Sequence, residues 1–167
     1  NDNPALADLS ALDALEHAAG VELWSLPALT DIDGFPSLTT ATGGIWIQHS
    51  DNLLDVSGFG ALQSADFVTI RSSDGLLDVS GFDSLETLTT GGLWVYRLPA
   101  LQSIRGFGRL SHIELALKLD DNDVLASTPG LVALESLGEI TMTSLPELTA
   151  LPDLSRISSV SGEVKIW

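Results

Sequence analysis

A repeat of about 24 residues runs through nearly the whole chain and constrains its fold more than any other feature. The repeat is marked by an apolar residue, here called the anchor, which occurs at Val21, Ile45, Val68, Leu93, Leu117, Ile140 and Val164. The successive spacings are 24, 23, 25, 24, 23 and 24 residues. Such a period predicts a solenoid, in which each coil is one supersecondary unit and each surface is built from residues at equivalent positions.

Each anchor is predicted to start a short strand. A second apolar residue lies two positions after every anchor, at Leu23, Ile47, Ile70, Val95, Leu119, Met142 and Ile166. Because side chains alternate between the two faces of a strand, both residues of each pair would face the core. The fold class is therefore predicted to be mainly β, with strands starting near 21, 45, 68, 93, 117, 140 and 164 that form one main parallel sheet.

The remaining half of each coil carries apolar residues at steps of three, as in Leu76, Val79, Phe82 and Leu85. Steps of three fit neither a strand nor an α-helix, and they predict irregular or 3₁₀-like chain. A glycine recurs in this half, at Gly34, Gly58, Gly81, Gly106 and Gly130. A glycine at one coil position predicts either a corner with positive φ or a close backbone contact.

The repeat covers the chain as a single solenoid domain, residues 1–167. Residues 1–20 form a partial coil, in which Leu6, Leu9, Leu12 and Leu15 match the back half of the next coil. Because solenoids need polar caps at their ends, we expect this chain to be a segment of a longer repeat protein; the alternative is that partners cover its ends.

Composition limits the possible partners. The chain has 23 acidic and 7 basic residues, for a net charge of −16. This charge opposes binding to nucleic acid or to anionic membranes. No stretch approaches the roughly 20 apolar residues needed to cross a bilayer, so membrane insertion is not predicted. The chain contains no cysteine, which excludes disulfides and thiolate metal sites.

Aromatic residues are concentrated on the outward face of the predicted sheet. All four tryptophans and the single tyrosine occur one or three positions after an anchor. Trp46 and Trp94 would lie two strands apart, which is about 10 Å. Exposed aromatic rings among polar groups typically mark a binding surface. The predicted ligand-binding residues are Trp24, Trp46, Gln48, Arg71, Trp94 and Tyr96. The alternative is that these rings pack across strands, or beneath another domain or a second copy.

Other polar residues give weaker signals. Asp120, Asp121 and Asp123 are weak calcium candidates, because they lack the spacing of an EF-hand loop and are better explained as a solvated acidic turn. No cofactor is predicted.

Recurring aspartates, at Asp31, Asp55 and Asp78, are expected to form hydrogen bonds that cap turns. The three histidines, His17, His49 and His112, are assigned to different coil positions, which argues against a shared metal site.

The order of a strand, a glycine corner, "GF" and "L", as in GGLWVYRLPALQSIRGFGRL and IWIQHSDNLLDVSGFGAL, resembles the receptor L-domain type of leucine-rich repeat. The resemblance implies a right-handed β-helix-like solenoid with an extracellular or cell-surface binding role. The family often places Asn five positions after the anchor, where this chain has Leu26, Ser50, Ser73, Leu98, Asn122 and Leu145. The absence of the receptors' disulfides favours a bacterial surface or secreted relative.

These observations predict a non-enzymatic recognition or adhesion module that binds a glycan or a protein through its aromatic strand face. The alternative is a structural or self-assembling segment whose aromatic face packs on another domain or copy. A carbohydrate-active enzyme of the β-helix type is third, because the outward face offers only Asp120 beside Lys118, Lys165 and Thr143 as acid–base groups.

Overall fold

The chain forms a parallel β-solenoid of about six turns, as seen in a computed structural model that describes residues 3–167. Residues 1 and 2, which begin the predicted partial coil 1–20, lie outside the described residues. A single 3₁₀ helix, Ser10–Leu12, precedes the strands. Among the described residues, no helix has the length and apolar composition needed to span a bilayer.

Three sets of strands repeat along the solenoid. The main strands are β2 (Val21–Trp24), β4 (Ile45–Gln48), β7 (Val68–Arg71), β10 (Leu93–Tyr96), β12 (His112–Asp120), β13 (Ser136–Thr143) and β14 (Val164–Ile166). Two-residue strands precede several of them, namely β1 (His17–Ala18), β3 (Thr40–Ala41), β6 (Ser64–Ala65) and β9 (Thr87–Leu88). The back of the coil contains β5 (Asp55–Val56), β8 (Asp78–Val79) and β11 (Ser103–Ile104).

The main strands pair in chain order and in parallel, with anchor opposite anchor. A strand is therefore present at all seven predicted positions. Two strands begin earlier than predicted: β12 at His112 rather than near 117, and β13 at Ser136 rather than near 140. Both begin earlier because the two-residue strand that precedes a main strand in other coils is continuous with it here: His112 and Ile113 pair with β9, and β12 is irregular between Ile113 and Ala116.

The back half of the coil contains the predicted 3₁₀-like turns, together with short strands that were not predicted. Its short strands form a second, three-stranded parallel sheet beside the 11-stranded one. Isolated turns connect them, closed by bonds such as Leu76 N–H to Ser73 C=O (3.2 Å) and Leu85 N–H to Phe82 C=O (3.1 Å). Steps of three thus arise from turns that alternate with two-residue strands rather than from a helix.

The core repeats with the coils and contains a phenylalanine ladder. Phe35, Phe59, Phe82 and Phe107 are buried and stack face to face, with ring centroids 4.9 to 5.1 Å apart and interplanar angles of 6° to 7°. This separation is close to the spacing of about 4.8 Å between neighbouring strands. The ladder therefore shows that the back of the solenoid stacks as tightly as its sheet.

The recurring glycines allow this close stacking. A Cβ atom added at Gly58 or Gly81 would lie closer than 3.0 Å to backbone of the preceding coil. None of the five glycines before the phenylalanine column has a positive φ, and Gly44 is the only described glycine that does (φ 88°). Of the two alternatives, close backbone contact is therefore confirmed and the positive-φ corner is wrong.

A left-handed corner instead follows each of the first six main strands, four positions after the anchor. The residues are Ser25, His49, Ser72, Arg97, Asp121 and Ser144, with φ between 49° and 57°. None is glycine, so no residue pattern in the sequence predicts this corner. The column contains no β-branched residue, as expected where L-residues must adopt this conformation.

The residue that follows this corner, five positions after the anchor, forms side-chain hydrogen bonds with backbone groups in several coils. Asn122 is fully buried; its amide donates to the Val95 carbonyl (3.0 Å) and accepts from the Leu98 N–H (3.1 Å). Ser73 acts similarly, because its hydroxyl accepts from the Ser50 N–H at 3.1 Å. In these two coils the residue five positions after the anchor, where receptor L-domain repeats often have Asn, thus forms hydrogen bonds with backbone groups of the preceding coil.

We predict that Gly81→Ala lowers the free energy of unfolding by about 1–3 kcal/mol, because its methyl group would overlap backbone at Val56 and Ser57. Gly60→Ala is the matched control: its Cβ would meet no atom within 4 Å, and the change should be neutral or slightly stabilising. Urea unfolding measures both. Equal midpoints for the two variants would contradict the proposed role of close coil contact.

Asn122→Ala should lower the free energy of unfolding by about 1–3 kcal/mol, because it leaves the buried Leu98 N–H without its acceptor. Asn122→Ser should recover part of the loss, since serine fills the same role in two other coils. The same unfolding experiment tests this prediction. An alanine variant as stable as the parent would show that the corner does not need this side chain.

Candidate ligand-binding groove

The outward face of the main sheet carries a groove of about 420 Å³. It crosses β4, β7, β10 and β12, and its lining residues are Trp46, Gln48, Thr69, Arg71, Trp94, Tyr96 and Lys118. Strand register places these residues in two adjacent columns. One runs Trp46, Thr69, Trp94, Lys118, and the other runs Gln48, Arg71, Tyr96, Asp120.

The first column gives the groove an aromatic side. Trp46 and Trp94 are both half-buried, and the small, buried Thr69 lies between them in register. Phe67 bridges the two indoles: its ring centroid is 4.3 Å from that of Trp46, edge to face, and 5.7 Å from that of Trp94. The distance between the Trp46 and Trp94 ring centroids is therefore at most the sum of their distances to the Phe67 ring centroid.

Phe67 is not among the residues predicted for this site. It precedes the anchor Val68 and is the only phenylalanine outside the recurring phenylalanine column. This departure from the repeat could have identified Phe67. An aromatic residue at a position where the other coils have none indicates a role specific to its own coil.

Glycines next to the strands make space for these rings. A Cβ atom at Gly44 would lie 2.8 Å from the Phe67 ring, and one at Gly92 would lie 2.9 Å from the Trp94 indole nitrogen. Gly44 and Gly92 therefore shape the aromatic side of the groove.

The second column gives the groove a polar, cationic side. Arg71 donates from Nε to the Gln48 side-chain oxygen (2.7 Å) and from Nη1 to the Tyr96 hydroxyl (3.1 Å). Its guanidinium carbon is 5.7 Å from the Tyr96 ring centroid, and Lys118 Nζ is 5.6 Å from the same centroid. Arg71 is thus held between its neighbours by two hydrogen bonds and a cation–π contact.

The charge of Arg71 is not neutralised by its partners, because neither Gln48 nor Tyr96 carries a carboxylate. Most other cationic side chains form ion pairs. Lys118, for example, lies 3.6 Å from the Asp120 carboxylate, and hydrogen bonding to Asp78 raises the pKa of Arg105. Within residues 3–167, Arg71 and Arg109 are the only arginines or lysines without an ion pair.

Five of the six predicted site residues line the groove, together with Thr69 and Lys118. Trp24, the sixth, lies outside its lining. It is 60% exposed, and its ring faces His49 at a centroid distance of 6.3 Å.

The predicted acidic cluster does not converge. Asp120 accepts a hydrogen bond from the Thr143 hydroxyl, whereas Asp121 lies 3.9 Å from the Arg97 guanidinium. In the part of the chain that the structure describes, no group of three or more acidic or histidine side chains could hold a metal ion.

The recurring aspartates bond mainly across coils rather than as turn caps. The Ser57 hydroxyl donates to Asp31 (2.9 Å), and the Ser80 hydroxyl donates in the same way to Asp55 (2.9 Å). Ser103, which occupies the aspartate position of the next coil, donates to Asp78 (2.8 Å). These bonds form a ladder along the back of the solenoid.

The assignment of the three histidines to different coil positions is wrong for two of them. His17 and His112 share one column, which runs His17, Thr40, Ser64, Thr87, His112. They are four strands apart, or about 19 Å, which is too far for one metal ion.

Comparison of the chain with protein-family models, with curated proteins and with solved structures found no match. The inference of function therefore depends on the groove, which combines two indoles, a fixed arginine and a second cation on one face of a parallel sheet.

Proposed function

We propose that this protein is a non-enzymatic recognition module that binds a glycan or a protein through the groove between Trp46, Trp94 and Arg71. One observation carries the proposal: two half-buried indoles flank a depression in which Arg71 is already hydrogen-bonded to Gln48 and Tyr96. A site held in this way loses little conformational freedom when a ligand binds.

The size and composition of the groove suit this role. A volume of about 420 Å³ lies within the range of roughly 300–1,000 Å³ that is typical of small-ligand sites. Tryptophan and tyrosine supply large amphipathic contact area with few rotatable bonds, and arginine is also common at the energetic centres of interfaces.

The lining favours binding over catalysis. As the structure describes it, the groove contains no carboxylate, histidine or cysteine among its lining residues. Asp120, the acidic group beside it, is engaged by Thr143 and Lys118. General acid–base catalysis needs a positioned group with a suitable pKa, and hydrolysis of a glycosidic bond ordinarily uses two carboxyl groups.

The resemblance to receptor L-domain repeats supports an extracellular or cell-surface setting for this binding. The net charge of −16 agrees with such a role, because it disfavours nucleic acid and anionic membranes as partners.

Self-assembly is the second candidate, and one observation favours it. Trp24 lies on β2, the strand next to β4, and leaves 60% of its surface exposed. An exposed indole beside the groove could contact a second copy of the chain or another domain.

We expect the double substitution Trp46→Ala, Trp94→Ala to reduce ligand affinity by at least about 100-fold, since each indole supplies contact area at the centre of the site. The free energy of unfolding should fall by no more than about 2 kcal/mol, because both rings lie outside the core. Calorimetric titration with a panel of oligosaccharides and surface proteins, together with urea unfolding, measures both quantities.

Trp24→Ala is the matched control and should keep the parent affinity, because Trp24 does not line the groove. Sedimentation of the unliganded parent separates the two candidates. A monomer with a saturable ligand supports recognition, whereas a concentration-dependent dimer that dissociates in Trp24→Ala supports self-assembly and contradicts the primary proposal.

A further inference from the structure

We infer that the groove selects a saccharide that carries a carboxylate, such as a uronic acid residue. This inference rests on the proposed recognition function and adds the chemical class of the ligand. It follows from the division of the groove into an aromatic side and a cationic side.

The distribution of charge is the first step. The chain carries 23 acidic and only 7 basic residues, yet two of the seven, Arg71 and Lys118, line this one groove. Lys118 forms an ion pair with Asp120, whereas the side-chain hydrogen bonds of Arg71 go to Gln48 and Tyr96, neither of which is a carboxylate. Arg71 is thus the cation best placed to attract an anionic group.

The hydrogen-bonding geometry of Arg71 is the second step. A guanidinium has five N–H donors, and the two bonds to Gln48 and Tyr96 leave the others for a ligand. These two bonds also fix the plane of the group, so a carboxylate can bind without further ordering of the side chain. Arginine–carboxylate pairs are among the strongest hydrogen-bonded pairs, because both partners are charged.

The aromatic side supplies the rest of the specificity. Trp46 and Trp94 precede Gln48 and Tyr96 by two positions on the same strand face, a separation of about 6.6 Å. A pyranose ring can place its C–H face against an indole while its carboxylate reaches the neighbouring arginine. Thr69 and the Tyr96 hydroxyl offer hydrogen bonds to ring hydroxyls in the same space.

The sheet favours a sugar over a peptide. Strands β4, β7, β10 and β12 are each paired on both sides, so their backbone edges are not free to accept an added strand. Peptides that bind sheets commonly use such an edge. The charge of −16 also disfavours long polyanions, whereas one carboxylate at short range is screened from most of the other charges.

The experiment compares trigalacturonate with its carboxyl-reduced counterpart by calorimetric titration of the full chain. We expect the acidic trisaccharide to bind at least 10-fold more tightly. Arg71→Gln should remove this preference: it should weaken acidic binding at least 10-fold and bring the ratio of the acidic to the neutral affinity below threefold.

Arg109→Gln is the matched control. It makes the same change in net charge at the other arginine without an ion pair, outside the groove, and should leave both affinities unchanged. Arg71→Lys is a second test variant, which keeps the charge but not the planar fork, and should show an intermediate loss. Urea unfolding of each variant confirms that it is folded.

The outcomes separate this inference from the proposed function. Equal, tryptophan-dependent binding of both trisaccharides would overturn the inference and leave the recognition function standing. Equal losses in Arg71→Gln and Arg109→Gln would reduce the effect to net charge and also overturn it. Arg71-dependent binding of an aspartate-rich peptide, without saccharide binding, would overturn it in favour of a protein ligand. Acidic binding unaffected by Trp46→Ala, Trp94→Ala would contradict both proposals.

Discussion

The close approach of neighbouring coils is the constraint on which the rest of this structure depends. Hydrogen bonding between parallel strands sets the distance between neighbouring coils at about 4.8 Å, so every other part of each coil must stack at the same distance. The stacked phenylalanine rings, 4.9 to 5.1 Å apart, show that the back of the solenoid does so. Glycine before the phenylalanine column is what allows it, because any Cβ atom there would overlap backbone of the adjacent coil.

The groove is a consequence of the same stacking. Because the coils are in register, each outward strand position lies beside its equivalents in the neighbouring coils. The inward positions are constrained by the core, whereas the outward ones are free to vary. A small residue, Thr69, between Trp46 and Trp94 leaves a depression, and Arg71 between Gln48 and Tyr96 gives that depression a fixed polar edge.

Much of this arrangement could be predicted, because it follows from two periods. The 24-residue repeat aligns the coils, and the alternation of side chains along a strand assigns Trp46, Arg71 and Tyr96 to the outer face. Phe67 could not be placed in this way, since it occupies a position that no other coil uses for an aromatic ring. The left-handed corner could not be predicted from residue types, because Ser, His, Arg and Asp adopt it in place of glycine. The hydrogen bonds of Arg71 depend on side-chain rotamers, which no pattern of residue types determines.

The most direct test of the account is the response of the four indole N–H signals in an NMR spectrum of the ¹⁵N-tryptophan-labelled protein, titrated with trigalacturonate and with the wider oligosaccharide and protein panel. We expect the signals of Trp46 and Trp94 to shift together and saturate, whereas those of Trp24 and Trp167, which lie outside the groove, should stay in place. Shifts confined to Trp24 and Trp167, or no shift at any indole with any member of the panel, would contradict the assignment of the groove as the binding site.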